Sequence, residues 1–170
     1  ACRLADGVAT ITSACAEVGQ GFVTLAHQIA HEVLGVDEVV LAPVSTATIA
    51  SAGSTSASRQ TWMSGGAVQA ACEAVRARLL DRVAAAHGVP VDDLVLVDGQ
   101  VAALSGAFEM DLAEATAQPV EAEEVYRHAP TVALDDDGQG DAHVSFAFSA
   151  HRAIVDVDVD LGLVKVVELT

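Results

Sequence analysis

Gly19-Gln20-Gly21 stands between a strand-like segment and a helix-like one, a place where main chain can do binding chemistry. Glycines let the backbone approach a ligand closely, and N–H groups at the start of a following helix attract anions. The Gln20 side chain adds a donor and an acceptor, which suits an amide-like ligand. A second opening of this kind is Ser56-Ala57-Ser58-Arg59-Gln60-Thr61, which closes a run of Ser, Thr, Ala and Gly beginning at Thr46. Small residues there permit close approach, hydroxyls add donors and acceptors, and a helix N-terminus adds partial positive charge. Arg59 is the one cation beside that opening, with the fork geometry that holds a phosphate. The plain alternatives are an ordinary glycine turn for the first segment and an N-cap by Ser56 or Ser58 for the second. Neither carries the Lys-Ser/Thr of a P-loop or a full GxGxxG, so ordinary nucleotide motifs are absent. Two openings, both aimed at helix N-termini in one short chain, favour a bound ligand.

Other groupings carry less. His27 and His31 have ligand spacing on one helical face, but no third ligand accompanies them, so no metal site is assigned. His143 and His151 flank strand-like residues. Glu109, Asp111 and Glu114, like Glu121, Glu123 and Glu124, read as solvated faces rather than acid–base pairs. Asp135 to Asp137 lack EF-hand spacing. No catalytic residue is assigned. Cys72 falls on the apolar side of a long helical pattern, as a small core residue does.

The chain has 24 acidic residues against 8 basic ones, a formal charge of −16. Such a surface repels phosphate backbones and anionic lipid, which argues against nucleic acid and membranes as partners. An anionic ligand must then be held by local N–H groups or a single arginine. Hydrophobic residues make up 52% and aromatic ones 4% of the 170 residues, so the core is built from Ala, Val and Leu, which allows close helix approach. A mean hydropathy of +0.41 points to buried partner surfaces. No apolar run reaches the roughly 18 residues of a membrane helix. Cys2, Cys15 and Cys72 form no CxxC pair, which favours a reducing cytoplasm over a disulfide framework. Ala1-Cys2-Arg3 reads as the middle of a domain, so a fragment or processed subunit is expected.

The elements that must position the two loops follow from periodicity. Val8 to Ala16 alternates as a strand, and Phe22 to Leu34 repeats at helical spacing with Gly35 as its C-cap. Val39 to Val44 is a second strand. Arg59 to Ala86 is a long helix, with Val68, Cys72, Val75, Leu79 and Val83 on one face. Asp98-Gly99 joins strands at 94–97 and 100–104 in a hairpin. Met110 to Thr116 reads as a short helix, and Val120 to Tyr126, Val144 to Phe148, Ala153 to Val159 and Leu163 to Leu169 as strands. The fold expected is α+β, a mixed or antiparallel sheet packed with two main helices, as one domain over 1–170.

Glu17-Val18-Gly19-Gln20-Gly21, Thr24, Gln28-Ile29-Ala30 and Leu34-Gly35 are similar to the E-x-G-Q-G-x-x-T-x-x-x-Q-I-A-x-x-x-L-G segment of molybdenum hydroxylases, the xanthine dehydrogenase and aldehyde oxidase family. Thr46, Thr48, Gly53, Thr55, Ala57-Ser58-Arg59, Thr61, Gly65 and Ala67-Val68 resemble that family's next block in order and spacing, and His151 to Thr170 resembles a later one. Ser45-Thr46 and Ala50 depart from the Asp-Thr and Pro of many relatives, which leaves the loop's shape open. The resemblance implies a molybdopterin-binding domain of the large subunit, nearest in look to bacterial xanthine dehydrogenases. It implies that Gly19, Gln20, Gly21 and Thr24 contact the pterin or its nucleotide extension. Ser56, Ala57 and Ser58 would lie toward molybdenum, with Arg59, Gln60 and Thr61 along the cofactor. It further implies an oxidoreductase hydroxylating a purine (hypoxanthine or xanthine) with water as oxygen source, its cofactor either plain molybdopterin or the cytosine dinucleotide form. The rest of the large subunit, and subunits or domains carrying iron–sulfur clusters and FAD, would be its partners in the cytoplasm. The family's catalytic glutamate lies further along than this chain reaches, so the chain alone is expected to be inactive. The alternatives are a relative acting on aldehydes, other N-heterocycles or carbon monoxide, and a non-enzymatic acidic binding or assembly domain.

Overall fold

A computed structural model describes residues 1–47, 49, 53–56, 58–143 and 146–170. The chain divides into two compact units, Ala1–His128 and Ala129–Thr170. Within the first lie β1 (Cys2–Ala5), β2 (Val8–Ile11), α1 (Phe22–Leu34), β3 (Val39–Leu41) and α2 (Gln60–His87). They are followed by β4 (Leu94–Val97), β5 (Gln100–Ala103), β6 (Glu109–Asp111), α3 (Leu112–Ala115) and β7 (Val120–Ala122). One sheet has the order β3-β2-β1-β7 and the other β4-β5-β6. The first is mixed: β1 pairs antiparallel with β2 and β7, whereas β3 runs parallel to β2 across the α1 crossover. The fold is α+β with two main helices, as the periodicity indicates.

The first hairpin turns on Asp6-Gly7, with φ of 49° and 78°, the same residue pair and turn shape as Asp98-Gly99 at 49° and 73°. Positive φ at both central residues suits the twist of a tight hairpin, and Asp-Gly supplies it at little cost. The turn is anchored on buried Thr116. Gly7 N–H donates to Thr116 Oγ1 at 2.9 Å, and Asp6 N–H to its carbonyl at 3.1 Å.

Small residues set how closely the two helices meet. Ala26 and Ala30 of α1 are wholly buried, and a Cβ added at Gly65 of α2 would sit 3.2 Å from Leu25 Cδ2. The Ala- and Gly-rich composition therefore buys close approach. Buried Val68, Cys72, Val75, Leu79 and Val83 line α2 as the spacing indicates. They join β1, β2 and α1 residues in one core. Cys2 and Cys72 are buried free thiols; the influence of the neighbouring Cys2 thiol, with burial, pushes the Cys72 thiol up. Gly35 ends α1 in the left-handed region at φ 61°, and its carbonyl accepts from Gly99 N–H at 2.8 Å, tying α1 to the second hairpin.

In the second unit β8 (Ala153–Asp158) and β9 (Leu163–Leu169) form an antiparallel hairpin with a bulge between Ile154 and Val155. Its register puts Ala153, Val155, Val157, Val164, Val166 and Leu169 on one face. Asp156 and Asp158 share the other with Lys165. Asp158 Oδ1 accepts from the N–H groups of Asp160 and Leu161 at 3.0 and 2.9 Å, which shapes the turn.

Several sequence boundaries are corrected. The strand expected over Val8 to Ala16 stops at Ile11, and those over 39–44 and 120–126 stop at Leu41 and Ala122. In each case the ladder partner ends there, because β1 pairs only through Cys2 and β3 only through Leu41. The helix expected over 110–116 is α3 alone, since Met110 instead pairs with Val101 in β6. Of the strand expected over 144–148, Val144 and Ser145 lie outside the described residues, and Phe146 to Phe148 form none.

Candidate functional site

After Ile11 the chain leaves the sheet and runs as a loop to Gly21, where α1 begins. The loop is organised by its own side chains. Glu17 Oε1 accepts from the N–H groups of Gly19 at 2.8 Å and Gly21 at 3.2 Å, and its Oε2 from Val23 at 3.0 Å. The bond from Val23 above all, with those from Gly19, Gly21 and Phe22, holds the Glu17 carboxyl below its ordinary range, against a desolvation that raises it. Glu17 thus occupies N–H groups that sequence reasoning left for an external anion. Its signal was the acid two residues ahead of Gly19, within reach of the helix start.

Gln20 is likewise engaged. Its Oε1 accepts from Val18 N–H at 2.7 Å, and its Nε2 donates to the Ala16 carbonyl at 2.8 Å. Gly19 and Gly21 hold φ of 96° and 85°, and nothing lies within 4 Å of a Cβ built on either. Gly19, Gln20, Gly21 and Thr24 are all exposed, so this loop presents an open backbone surface.

The second loop is folded on Arg59. Its Nε and Nη2 both donate to the Ser54 carbonyl, at 3.1 and 2.7 Å. Gly53, at φ 80°, keeps the backbone clear, for a Cβ there would lie 3.1 Å from the same guanidinium. Ser58 takes φ 52°, a strained value for a residue with a side chain. Ser56 is exposed, and Ala57 lies outside the described residues. Arg59 is the N-cap of α2, without a capping side-chain bond, and the first turn contains no acid. Among the described residues no side chain accepts from the N–H groups of Gln60, Thr61 or Trp62. The two helix openings therefore differ: α1 carries its own anion, and α2 does not.

The two loops touch. The Cys15 thiol donates to Gln60 Oε1 at 2.9 Å, and Ala16 N–H donates to Thr55 Oγ1 at 3.3 Å. Gln20 Nε2 reaches the same sulfur at 3.9 Å, and Ser64 Oγ donates to the same Gln60 oxygen. Gln20 and Gln60 thus meet at one buried cysteine, which sequence reasoning did not place at the site. From the opening of α2 a groove of about 480 Å³ runs past Thr61, Trp62 and Gly66 to Tyr126. A larger hollow of about 590 Å³ is lined by Glu32, Glu73, Asp81 and Asp92 with Arg76, an acidic setting that suits no anion. His31 Nδ1–H donates to the Val36 carbonyl at 2.8 Å, so that ring nitrogen serves the α1–β3 turn.

The family model described as the molybdopterin cofactor-binding domain matches residues 3–170. The chain belongs to that family. The match runs through both compact units and both loops. As a molybdopterin cofactor-binding domain it also shares its fold with solved structures. The Cu,Mo-CO dehydrogenase in its carbon monoxide reduced state gives a TM-score of 0.81 at 20% identity, over 99% of this chain and 21% of that one. Reconstituted CO dehydrogenase from Oligotropha carboxidovorans gives 0.80 at 20% identity, over 99% and 21%. Quinoline 2-oxidoreductase from Pseudomonas putida 86 gives 0.74 at 23% identity, over 99% and 22%. The chain spans about a fifth of the length of these solved chains. No curated protein matches it.

The residues present fit a molybdopterin at the opening of α2. Its phosphate needs N–H donors free of carboxylates, and the first turn of α2 provides them. Its pterin edge carries acceptors, to which Gln60 beside that turn offers its Nε2 donors, its Oε1 being held by Cys15 and Ser64. The α1 opening can contribute only backbone surface and the Thr24 hydroxyl, because Glu17 holds its N–H groups. No helix among the described residues is long and apolar enough to cross a membrane.

Proposed function

We propose that this chain is the cofactor-holding part of the large subunit of a molybdenum hydroxylase. In this reading the oxidoreductase converts a C–H beside a ring nitrogen to C–OH, with oxygen from water, releasing two electrons and two protons. The bound molybdenum cofactor supplies the redox chemistry. This chain's residues bind and orient it. Ser56, Ala57 and Ser58 would hold the metal end, while Arg59, Gln60 and Thr61 would hold the pterin. Gly19, Gln20, Gly21 and Thr24 form the facing wall. The substrate we assign is a purine, hypoxanthine or xanthine, on the likeness of the closing strands within 151–170 to those of bacterial xanthine dehydrogenases. The cofactor is molybdopterin, plain or as the cytosine dinucleotide. Iron–sulfur clusters and FAD on partner subunits or domains carry the electrons away, in the cytoplasm.

The observation that carries this reading is the bond from Cys15 to Gln60, 2.9 Å long, which brings the two loops of one family domain to one place. A second reading, a water-dependent two-electron oxidation of a different substrate, draws on the solved structures of like fold, which are named for carbon monoxide and quinoline. Metal and pterin analysis of the complete protein tests the class. Molybdenum and pterin in equal amounts are expected, and their absence would favour an acidic assembly domain. Turnover of xanthine, an aldehyde, quinoline and carbon monoxide with a dye acceptor in ¹⁸O-water then decides the substrate, and labelled urate is the outcome expected.

A further inference from the structure

We propose that Cys15 is a positioning residue for the cofactor site: its thiol fixes the amide of Gln60 so that the Nε2 donors of that side chain serve the bound cofactor. This rests on the molybdopterin-binding reading above. The argument begins with the acceptor. Gln60 Oε1 receives the Cys15 S–H at 2.9 Å and also the Ser64 hydroxyl. An oxygen that takes two donors is held in place. Were the amide turned over, its NH₂ would face a thiol sulfur, which is a weak acceptor. That sulfur already faces Gln20 Nε2 at 3.9 Å, so a second amide donor would compete there.

The orientation has a consequence for binding. With Oε1 committed inward, the two hydrogens on Gln60 Nε2 are left for another acceptor, and none lies among the described residues. They sit at the first residue of α2, whose opening carries no acid. An oxygen-rich ligand there meets a preset donor rather than a rotating amide, which lowers the entropy lost on binding. Cys15 is only 5% exposed, so it acts on the ligand through Gln60 and not by touching it. Its N–H bond to Ser13 Oγ at 3.2 Å and the Ala16 bond to Thr55 hold the cysteine itself.

A cysteine present merely as a small apolar filler would be replaced by valine without consequence for the ligand. The experiment compares wild type, Cys15→Val and Cys15→Ser in the complete protein. It reads molybdenum and pterin per subunit, unfolding midpoint, and amide hydrogen exchange across 15–23 and 53–66. The expected result is that Cys15→Ser, which keeps the donor, retains the cofactor, while Cys15→Val loses about tenfold in cofactor content, the scale typical of a lost supporting bond. Exchange should quicken in both segments together in Cys15→Val. Wild-type cofactor content in Cys15→Val, equal losses in both variants, or loosening confined to 15–23 would each overturn the proposal. If Cys15→Val lowers the unfolding midpoint sharply, Gln60→Met removes the same bond from its less buried end. It should then quicken exchange across 15–23, and unchanged exchange there overturns the proposal. A wild-type protein without molybdenum or pterin defeats the binding reading instead. Exchange then judges Cys15 alone, joint loosening supporting it as the link between the loops and separate loosening rejecting it.

Discussion

The Glu17 carboxylate accepts the Val23 N–H at 3.0 Å, six residues along the chain, and so caps α1 from outside the helix. It accepts from Gly19 and Gly21 as well, so a single charge organises the whole turn. Because these bonds favour the ionised form, the folded-state pKa of Glu17 lies below its unfolded value. Its contribution is therefore fully present above the ordinary carboxylate range and is lost as pH falls through the lowered folded value. We predict that amide protection at Gly19, Gly21 and Val23, corrected for intrinsic exchange, stays flat at neutral pH and falls only in acid below that range. Glu17→Gln should show weak protection at every pH. A wild-type profile that breaks near neutrality would show that another group controls the turn.

A Cβ built on Gly66 falls 2.8 Å from Cγ of Tyr126 and 2.9 Å from both Cδ atoms, closer than real contacts allow. Two effects oppose at this position. Alanine gains about 1 kcal/mol over glycine inside a helix, whereas the displaced ring loses its packing. Gly66→Ala should thus gain nothing, or lose stability, in the wild-type background. In a Tyr126→Ala background the same change should stabilise by about 1 kcal/mol. Chemical denaturation of the four proteins measures this coupling. Equal effects in both backgrounds would mean that the ring does not rest on Gly66.

The elements that sequence reasoning located best are those whose partners are local. The span of α1 and its Gly35 cap follow from helical spacing and one glycine, and both stand as read. The Asp98-Gly99 hairpin is encoded within ten residues. By contrast the pairing of β1 with β7 and the parallel pairing of β3 with β2 depend on distant partners, which no local period reports. Strand β6 lies close to its partner β5 but is three residues long, too short to show a period. The Asp6-Gly7 turn was legible in principle, for it repeats the Asp98-Gly99 signal. At the site, residue types identified two loops suited to binding. What types cannot convey is that Glu17 and Gln20 satisfy the first loop from within, or that a cysteine joins it to the second across 45 residues.

Thr116 is fully buried, and its hydroxyl works in both directions: it donates to the Leu112 carbonyl at 2.6 Å and accepts Gly7 N–H at 2.9 Å. Valine has nearly the same shape but no oxygen. Thr116→Val would leave the Gly7 N–H without its acceptor beneath the first turn, which costs about 1–3 kcal/mol. Serine keeps the oxygen and should cost less. Urea midpoints compare the two, and a valine variant as stable as wild type would show that the turn is satisfied by water.

Arg59 distinguishes charge from shape in the second loop. Its guanidinium puts two N–H groups on one carbonyl, Ser54, at 3.1 and 2.7 Å, and so closes the segment that leads into α2. Lysine preserves the positive charge but offers a compact point donor on a flexible stem, without the planar fork. If Arg59 served only to attract a phosphate, Arg59→Lys would keep most of the cofactor. The bonds to Ser54 argue otherwise: the fork shapes the loop, and the loop shapes the opening. We therefore predict that, in the complete protein, Arg59→Lys loses cofactor nearly as completely as Arg59→Ala. The far-UV spectrum should stay unchanged, since the buried stripe of α2 begins beyond the first turn at Gly65. The measurement is molybdenum and pterin per subunit in the two variants and wild type, purified together. Retention in Arg59→Lys with loss in Arg59→Ala would assign Arg59 to charge alone, and retention in both would remove it from the site.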